Sequence, residues 1–308
     1  VRVNRSVRVV PALVALVAVA AKAQAPPARV FRSAIDVTTV NATVLDQDGR
    51  LVTGLPREAF EVYEDGRLQT ITQFTNERVP VSLGLLIDIS DSMFGRRIEE
   101  ARGAIERFVV DLLDPEDEFS ILAFNHQQFP LTTWTSERAA ARRVLEPIKP
   151  SGATAIYDAL MSALPLVEAR TRQRAALLVI SDGADTASDT ALRDVRFGLH
   201  RSDAFVYAVA IDTADRKPIN AQVNPAALGD ITNQSGGRTI VVHDSSEAAM
   251  ALATIAEELN SQYLFGYASP KGRDGQYHSI RVRAGGGQYR VRARNGYVAE
   301  PRRPISQP

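Results

Sequence analysis

The sequence predicts an α/β protein: a doubly wound, mainly parallel sheet, with a small β-domain formed by strands that flank it at both ends. Three observations carry this. The runs Val81 to Ile87, Phe119 to Phe124, Ala175 to Ile180 and Phe205 to Ile211 are too apolar to face water on either side. Between them lie amphipathic stretches: Ile98, Ala101, Ile105, Phe108 and Leu112 fall on one helical stripe, as do Leu252, Ile255 and Leu259 further on. Outside this alternation, both ends read as short strands. Strands buried on both faces and separated by helices belong to a parallel sheet covered on its two sides.

Composition narrows the field. The 308 residues exceed one ordinary domain, and 45% hydrophobic against 6% aromatic points to an aliphatic core. Lys and Arg total 36, as do Asp and Glu, so no global field exists to recruit nucleic acid or an anionic membrane. The chain has no cysteine, which excludes disulfides, thiol catalysis and thiolate metal sites.

Residues 1–25 read as a signal peptide. Arg2, Arg5 and Arg8 precede an apolar run from Val9 to Ala21, and Ala21-Lys22-Ala23 and Ala23-Gln24-Ala25 offer small residues at cleavage spacing. The run is shorter than the about 20 residues that span a bilayer. No later stretch is long and apolar enough, so no transmembrane segment is expected. The expected location is secreted, periplasmic or at the cell surface.

Residues 30–78 read as N-terminal strands. Val40, Ala42 and Val44 alternate with polar neighbours, and Asp46-Gln47-Asp48-Gly49 and Glu64-Asp65-Gly66 are turn chemistry. Residues 79–262 hold the α/β unit, with Asp244 or Ser245 placed to cap its last helix. Residues 263–298 return to strands. There Ser279 to Ala284 and Gln288 to Arg294 flank Gly285-Gly286-Gly287 as a hairpin, expected to complete a sandwich-like β-domain with the N-terminal strands. Arg281 and Arg283 share one strand face, and so do Arg290, Arg292 and Arg294. This stripe reads as a solvated face that discourages edge pairing rather than as an acidic-ligand site. Residues 299–308 read as a loose tail.

Three short segments carry the chemistry. Asp88-Ile89-Ser90-Asp91-Ser92 follows the first buried strand, Gly152-Ala153-Thr154-Ala155 precedes a helical run, and Ser181-Asp182-Gly183-Ala184-Asp185 follows the third buried strand. Each alone is explained by helix capping or a turn. Together they converge if the strands ending at Asp88 and Asp182 are neighbours, because ligands of an open parallel sheet bind outside the strand ends. The gathered groups are carboxylates and hydroxyls, hard oxygen ligands suited to Mg²⁺, Mn²⁺ or Ca²⁺.

With these residues in view, the middle of the chain, about 79–262, resembles a von Willebrand factor type A domain, the integrin-type I domain. That family's metal-ion-dependent adhesion site is a D-x-S-x-S run, a later Thr and a still later Asp, matched here by Asp88, Ser90, Ser92, Thr154 and Asp182. More loosely, the whole chain resembles bacterial secreted proteins that flank this domain with β-strands. The resemblance implies one divalent ion, Mg²⁺ or else Mn²⁺ or Ca²⁺. Ser90, Ser92 and Thr154 would touch it directly or nearly so, and Asp88 and Asp182 directly or through water. An ion held mostly by neutral hydroxyls stays electrophilic and welcomes an Asp or Glu carboxylate from a protein partner. Asp91 and Asp185 read as solvated turn residues, or as acceptors supporting the ligands from behind.

Catalysis is not expected. No G-x-G-x-x-G follows the first strand, and neither G-x-x-x-x-G-K-[ST] nor G-x-S-x-G occurs. The enzymatic rival is a metal-dependent phosphatase with Asp88 as nucleophile, resembling haloacid dehalogenases, but Ser90 stands where that motif needs a second Asp. A third reading gives the cation a role in fold stability alone. His126, His200, His243 and His278 are scattered singly and read as structural or exposed.

Overall fold

Four strands open the described chain: β1 (Val37–Leu45), β2 (Phe60–Glu64), β3 (Arg67–Gln69) and β4 (Ile71–Thr75). The computed structural model describes residues 37–181, 185–212, 225–272 and 274–300, all within one compact unit. The expected signal peptide, Asp182 and the tail from 301 onward lie outside the described residues.

The α/β unit follows as β5 (Val81–Asp88), α1 (Arg96–Arg107), β6 (Glu118–Phe124), β7 (Gln128–Pro130), α2 (Ala139–Leu145), α3 (Ile156–Glu168), β8 (Arg174–Ser181), α4 (Leu192–Arg201), β9 (Phe205–Ile211), α5 (Pro225–Ser235), β10 (Thr239–Val242) and α6 (Ser245–Asn260). Its six strands run in the order β10-β9-β8-β5-β6-β7. All pairs are parallel except the edge pair β6 with β7. Every residue of β5, β6, β8 and β9 is buried, as their continuous apolar sequences require. Helices α1, α2 and α6 cover one face and α3, α4 and α5 the other. Asp244 caps α6, its Oδ1 accepting the backbone N–H groups of Ser246 and Glu247 at 2.8 and 2.9 Å.

The chain ends in β11 (Tyr263–Ala268), β12 (Tyr277–Ala284), β13 (Arg290–Ala293) and β14 (Gly296–Val298). These join β1 to β4 in two antiparallel sheets, β13-β1-β11-β4 and β14-β12-β2-β3. The core between the sheets is aromatic, with the Phe60 ring 4.7 Å from that of Tyr263 and 4.9 Å from that of Phe265. The fold is therefore a doubly wound sheet with a small β-domain drawn from both flanks.

Three expectations are corrected. The triglycine does not make a hairpin: β12 pairs with β2 and β14, whereas β13 pairs with β1 in the other sheet. Gly286 and Gly287, at φ 65 and 99, turn the chain from one sheet to the other, a path that side chains with a Cβ resist. Second, β1 does not present a buried and an exposed face, as the alternation of Val40, Ala42 and Val44 with polar neighbours predicts. Asn41 and Thr43 are buried too, because the α/β unit lies against them, and Gln262 Nε2 donates to both Thr43 Oγ1 and Tyr207 OH. The third concerns the arginine stripe, which is not uniformly solvated. Arg292 reaches the buried Glu258 of α6 at 2.6 Å, and Arg294 donates to the Thr39 carbonyl and lies over the Tyr297 ring.

Candidate metal centre

The strand order places β5 beside β8, with Ile87 paired to Ile180. The helix that follows β5 packs on one face of the sheet, and the helix that follows β8 packs on the other. The carboxyl ends of β5 and β8 thus flank the crevice where connections diverge, the usual ligand position in such sheets.

Asp88 ends β5, wholly buried. Its Oδ1 accepts the Ser90 N–H at 2.8 Å and its Oδ2 accepts the Ser181 hydroxyl at 2.5 Å. With both oxygens engaged, the carboxylate is held rigidly at the crevice floor. The chain then turns through a short 3-10 segment anchored by buried Met93, which brings Ser90 Oγ within 3.0 Å of Ser92 Oγ. Arg97, on α1, donates to the Ser92 carbonyl at 2.7 Å and fixes the end of that turn.

The Thr154 loop is tied to this turn through the backbone. Asp91 N–H donates to the Gly152 carbonyl and Ser151 N–H to the Ile89 carbonyl, both at 2.8 Å. Gly152 adopts φ +80, and a Cβ there would fall 2.5 Å from His126 Nδ1, so only glycine suits this approach. Thr154, itself buried, accepts the N–H groups of Thr186 and Ala187 on its carbonyl at 2.9 and 3.0 Å, which fastens the loop to the segment beyond β8.

Asp88, Ser90 and Ser92 thus form one group, with the Thr154 loop bonded to it. Asp182 is the residue after Ser181 and outside the described residues. Asp91 is exposed on the turn. Asp185 has other duties: its Oδ2 accepts from the Tyr157 N–H at the start of α3 and from the Ser188 hydroxyl, at 2.9 and 2.5 Å.

The donor set fits a hard divalent cation. It is all oxygen, and the 3.0 Å between the two serine hydroxyls suits neighbouring positions around an octahedral ion with ligands at about 2.1 Å. Ser90 and Ser92 would hold the ion together with the Thr154 hydroxyl, while Asp88, both of whose oxygens are engaged, would act from behind them.

A second group of ligand-type side chains, Glu64, Asp65 and His278, stands in the β-domain. Sequence reasoning missed it because Glu64-Asp65-Gly66 also reads as a turn, and His278 lies 213 residues beyond Asp65. The one local signal was Asp274, four residues before His278.

The fold and this crevice define an α/β domain of the kind that binds ligands at strand ends. Residues 83–184 match the family model described as von Willebrand factor type A domain. Among curated proteins it is similar to inter-alpha-trypsin inhibitor heavy chain H2 of Mus musculus, 27% identical over 139 residues, which is 40% of this chain and 14% of that protein. It is also similar to heavy chain H4 of Homo sapiens, 23% identical over 201 residues, 60% of this chain and 21% of that protein. The matched segments therefore span about a fifth or less of those relatives. Among solved structures, the fold is similar to a von Willebrand factor type A protein from Catenulispora acidiphila, with TM-score 0.51 and 13% identity over 82% of this chain and 71% of that one. An aerotolerance-related membrane protein from Bacteroides fragilis has TM-score 0.50 and 24% identity over 58% of this chain and 98% of that one.

Proposed function

We propose that this protein is a binding module that holds one divalent cation, Mg²⁺ or else Mn²⁺ or Ca²⁺, at Asp88, Ser90, Ser92, Thr154 and Asp182. Through that ion it engages an Asp or Glu carboxylate of a protein partner. The observation that carries the reading is the pair of serine hydroxyls 3.0 Å apart at the carboxyl end of β5, in the crevice between β5 and β8. Hydroxyl ligands neutralise little of the ion's charge, so an external carboxylate completes the shell. Catalysis is not part of this reading, and the domain family supports binding.

The same proposal places the protein outside the cytoplasm, delivered by the signal peptide at 1–25, with the type A domain over 79–262 and the β-strands of 30–78 and 263–298 as its support. Among the described residues no helix is long and apolar enough to cross a membrane.

Calorimetric titration with Mg²⁺ and Mn²⁺ tests the site. Thr154→Val and Asp88→Asn are expected to lose Mg²⁺ binding at this centre, and unchanged Mg²⁺ affinity in both overturns the ligand assignment. Capture of envelope proteins in Mg²⁺ with release by chelator tests the role. Metal-dependent turnover of p-nitrophenyl phosphate decides instead for a hydrolase.

A further inference from the structure

We propose that Glu64, Asp65 and His278 form a second divalent-cation site, in the β-domain, of the mixed nitrogen and oxygen type that takes Zn²⁺ or Mn²⁺. The three side chains offer ligand atoms that all lie within 4.8 Å of one another. Glu64 ends β2, Asp65 opens the turn to β3, and His278 sits on β12, paired with β2. Glu64 and His278 are 2% and 3% exposed, whereas Asp65 is open to solvent and supplies the way in.

The histidine's two nitrogens define the chemistry. Nε2 lies 3.0 Å from Asp274 Oδ1, and a carboxylate there only accepts, so Nε2 carries a proton. In the neutral ring, Nδ1 then presents its lone pair to Asp65 Oδ2 at 2.8 Å and to Glu64 Oε1 at 3.9 Å. Acceptors facing acceptors repel, and only a positive charge among them makes the arrangement favourable. A carboxylate behind a histidine whose other nitrogen looks into an oxygen cluster is the arrangement that orients metal-binding imidazoles.

A second ring proton is the competing source of that charge, and Glu64 discriminates against it. Each acid has one oxygen tied by protein donors. Asp65 Oδ1 accepts the Ser279 N–H at 3.0 Å, and Glu64 Oε1 accepts the hydroxyls of Ser269 and Tyr297 at 2.7 and 3.2 Å. Glu64 Oε2 is buried with no hydrogen-bond partner. A proton on Nδ1 bonds Asp65 and gives Glu64 no hydrogen bond, because Glu64 Oε1 stands 3.9 Å from that nitrogen. A cation bonded to Nδ1 lies between Asp65 Oδ2, 2.8 Å from that nitrogen, and Glu64, whose nearest recorded oxygen is 3.9 Å away. It also balances charge better: three carboxylates around one imidazolium leave a net of about −2, and around a divalent ion with neutral histidine about −1. The ligand count, one histidine and two carboxylates, leaves room for water, as in open zinc sites.

The test uses the full chain with Mn²⁺ as probe, read by calorimetry and by pulsed electron paramagnetic resonance. Coordinated imidazole nitrogen modulates the Mn²⁺ echo, and the all-oxygen centre at Asp88 does not. Expected results are nitrogen modulation in the wild type and in Asp88→Asn, its loss in His278→Gln, and affinity weakened about 10-fold to 100-fold in Asp274→Asn. Modulation that persists in His278→Gln, or is absent from Mn²⁺-saturated wild type, overturns the proposal. Should His278→Gln fail to fold, exposed Asp274 carries the test, and unchanged affinity in Asp274→Asn overturns it. Because Asp88→Asn removes only the other centre, the two sites fail or stand separately.

Discussion

The hydroxyl of Ser181, the last residue of β8, donates to Asp88 Oδ2 across 2.5 Å, joining the ends of two parallel strands whose bonded residues are 93 positions apart in sequence. This bond lies at the bottom of the crevice, and it makes Asp88 structural as well as chemical. Asp88→Ala would leave the Ser90 N–H and the Ser181 hydroxyl facing a hole. It is expected to cost about 3 kcal/mol in urea unfolding. Asp88→Asn keeps the volume and one acceptor, so its loss is expected to be smaller. Equal losses for the two variants would show that the carboxylate's hydrogen bonds contribute little.

The α/β unit and the β-domain are tied by a buried acid. Glu258, on α6 and 1% exposed, has Oε1 3.1 Å from Arg238 and Oε2 2.6 Å from Arg292 on β13. Glu258→Ala strands both guanidinium groups, and the expected loss is about 3 to 5 kcal/mol. Replacing Glu258 and Arg292 together by Leu and Met should cost less than Glu258→Ala alone. A double variant no more stable than the single one would deny the pairing.

Glu118, at the start of β6, titrates in a way that acid unfolding can read. Burial pushes its pKa up, but hydrogen bonds from the Ser82 hydroxyl and from the Thr171 N–H and hydroxyl, at 2.6 to 2.8 Å, outweigh that and hold it below 4.5. A lowered folded-state pKa means stability is present above the unfolded value and lost as pH falls through the folded one. Wild type should therefore lose stability below about pH 4.5, and Glu118→Gln, less stable at neutral pH, should show a flatter acid limb. Parallel acid limbs in the two proteins would remove Glu118 from the account.

Removing the residues after Gly272 deletes β12, β13 and β14. Strand β2 then keeps only the three-residue β3 as neighbour, and β1 loses its pairing with β13. Limited proteolysis is expected to cut rapidly within 37–75 in the truncated chain. A protease-resistant 37–75 segment would mean that the N-terminal strands stand without the C-terminal ones.

Legibility followed the range of the interactions. The apolar runs Val81 to Ile87 and Ala175 to Ile180 became β5 and β8 with one residue more at an end or both, because a strand buried on both faces tolerates no polar alternation. The triglycine misled because glycine favours any tight change of direction. Whether that change closes a hairpin or carries the chain between sheets depends on which strands stand ready to pair, and here β1 and β2 lie in different sheets. Arg292 looked like a solvated charge because nothing near it in sequence discloses Glu258. His278 looked solitary because Asp65 is remote in the chain.

By itself the sequence determined the α/β alternation, the strand-rich flanks and the local spacing of Asp88, Ser90 and Ser92, since each rests on residues within one turn or strand of one another. Only the tertiary structure decided that β8 lies beside β5, that Gly152 accepts from Asp91, that Arg292 meets Glu258, and that Glu64, Asp65 and His278 come within reach of one another. The physical reason is that periodicity and turn chemistry act over a few residues. Pairing between distant segments is settled by the burial and hydrogen bonding of the whole chain at once.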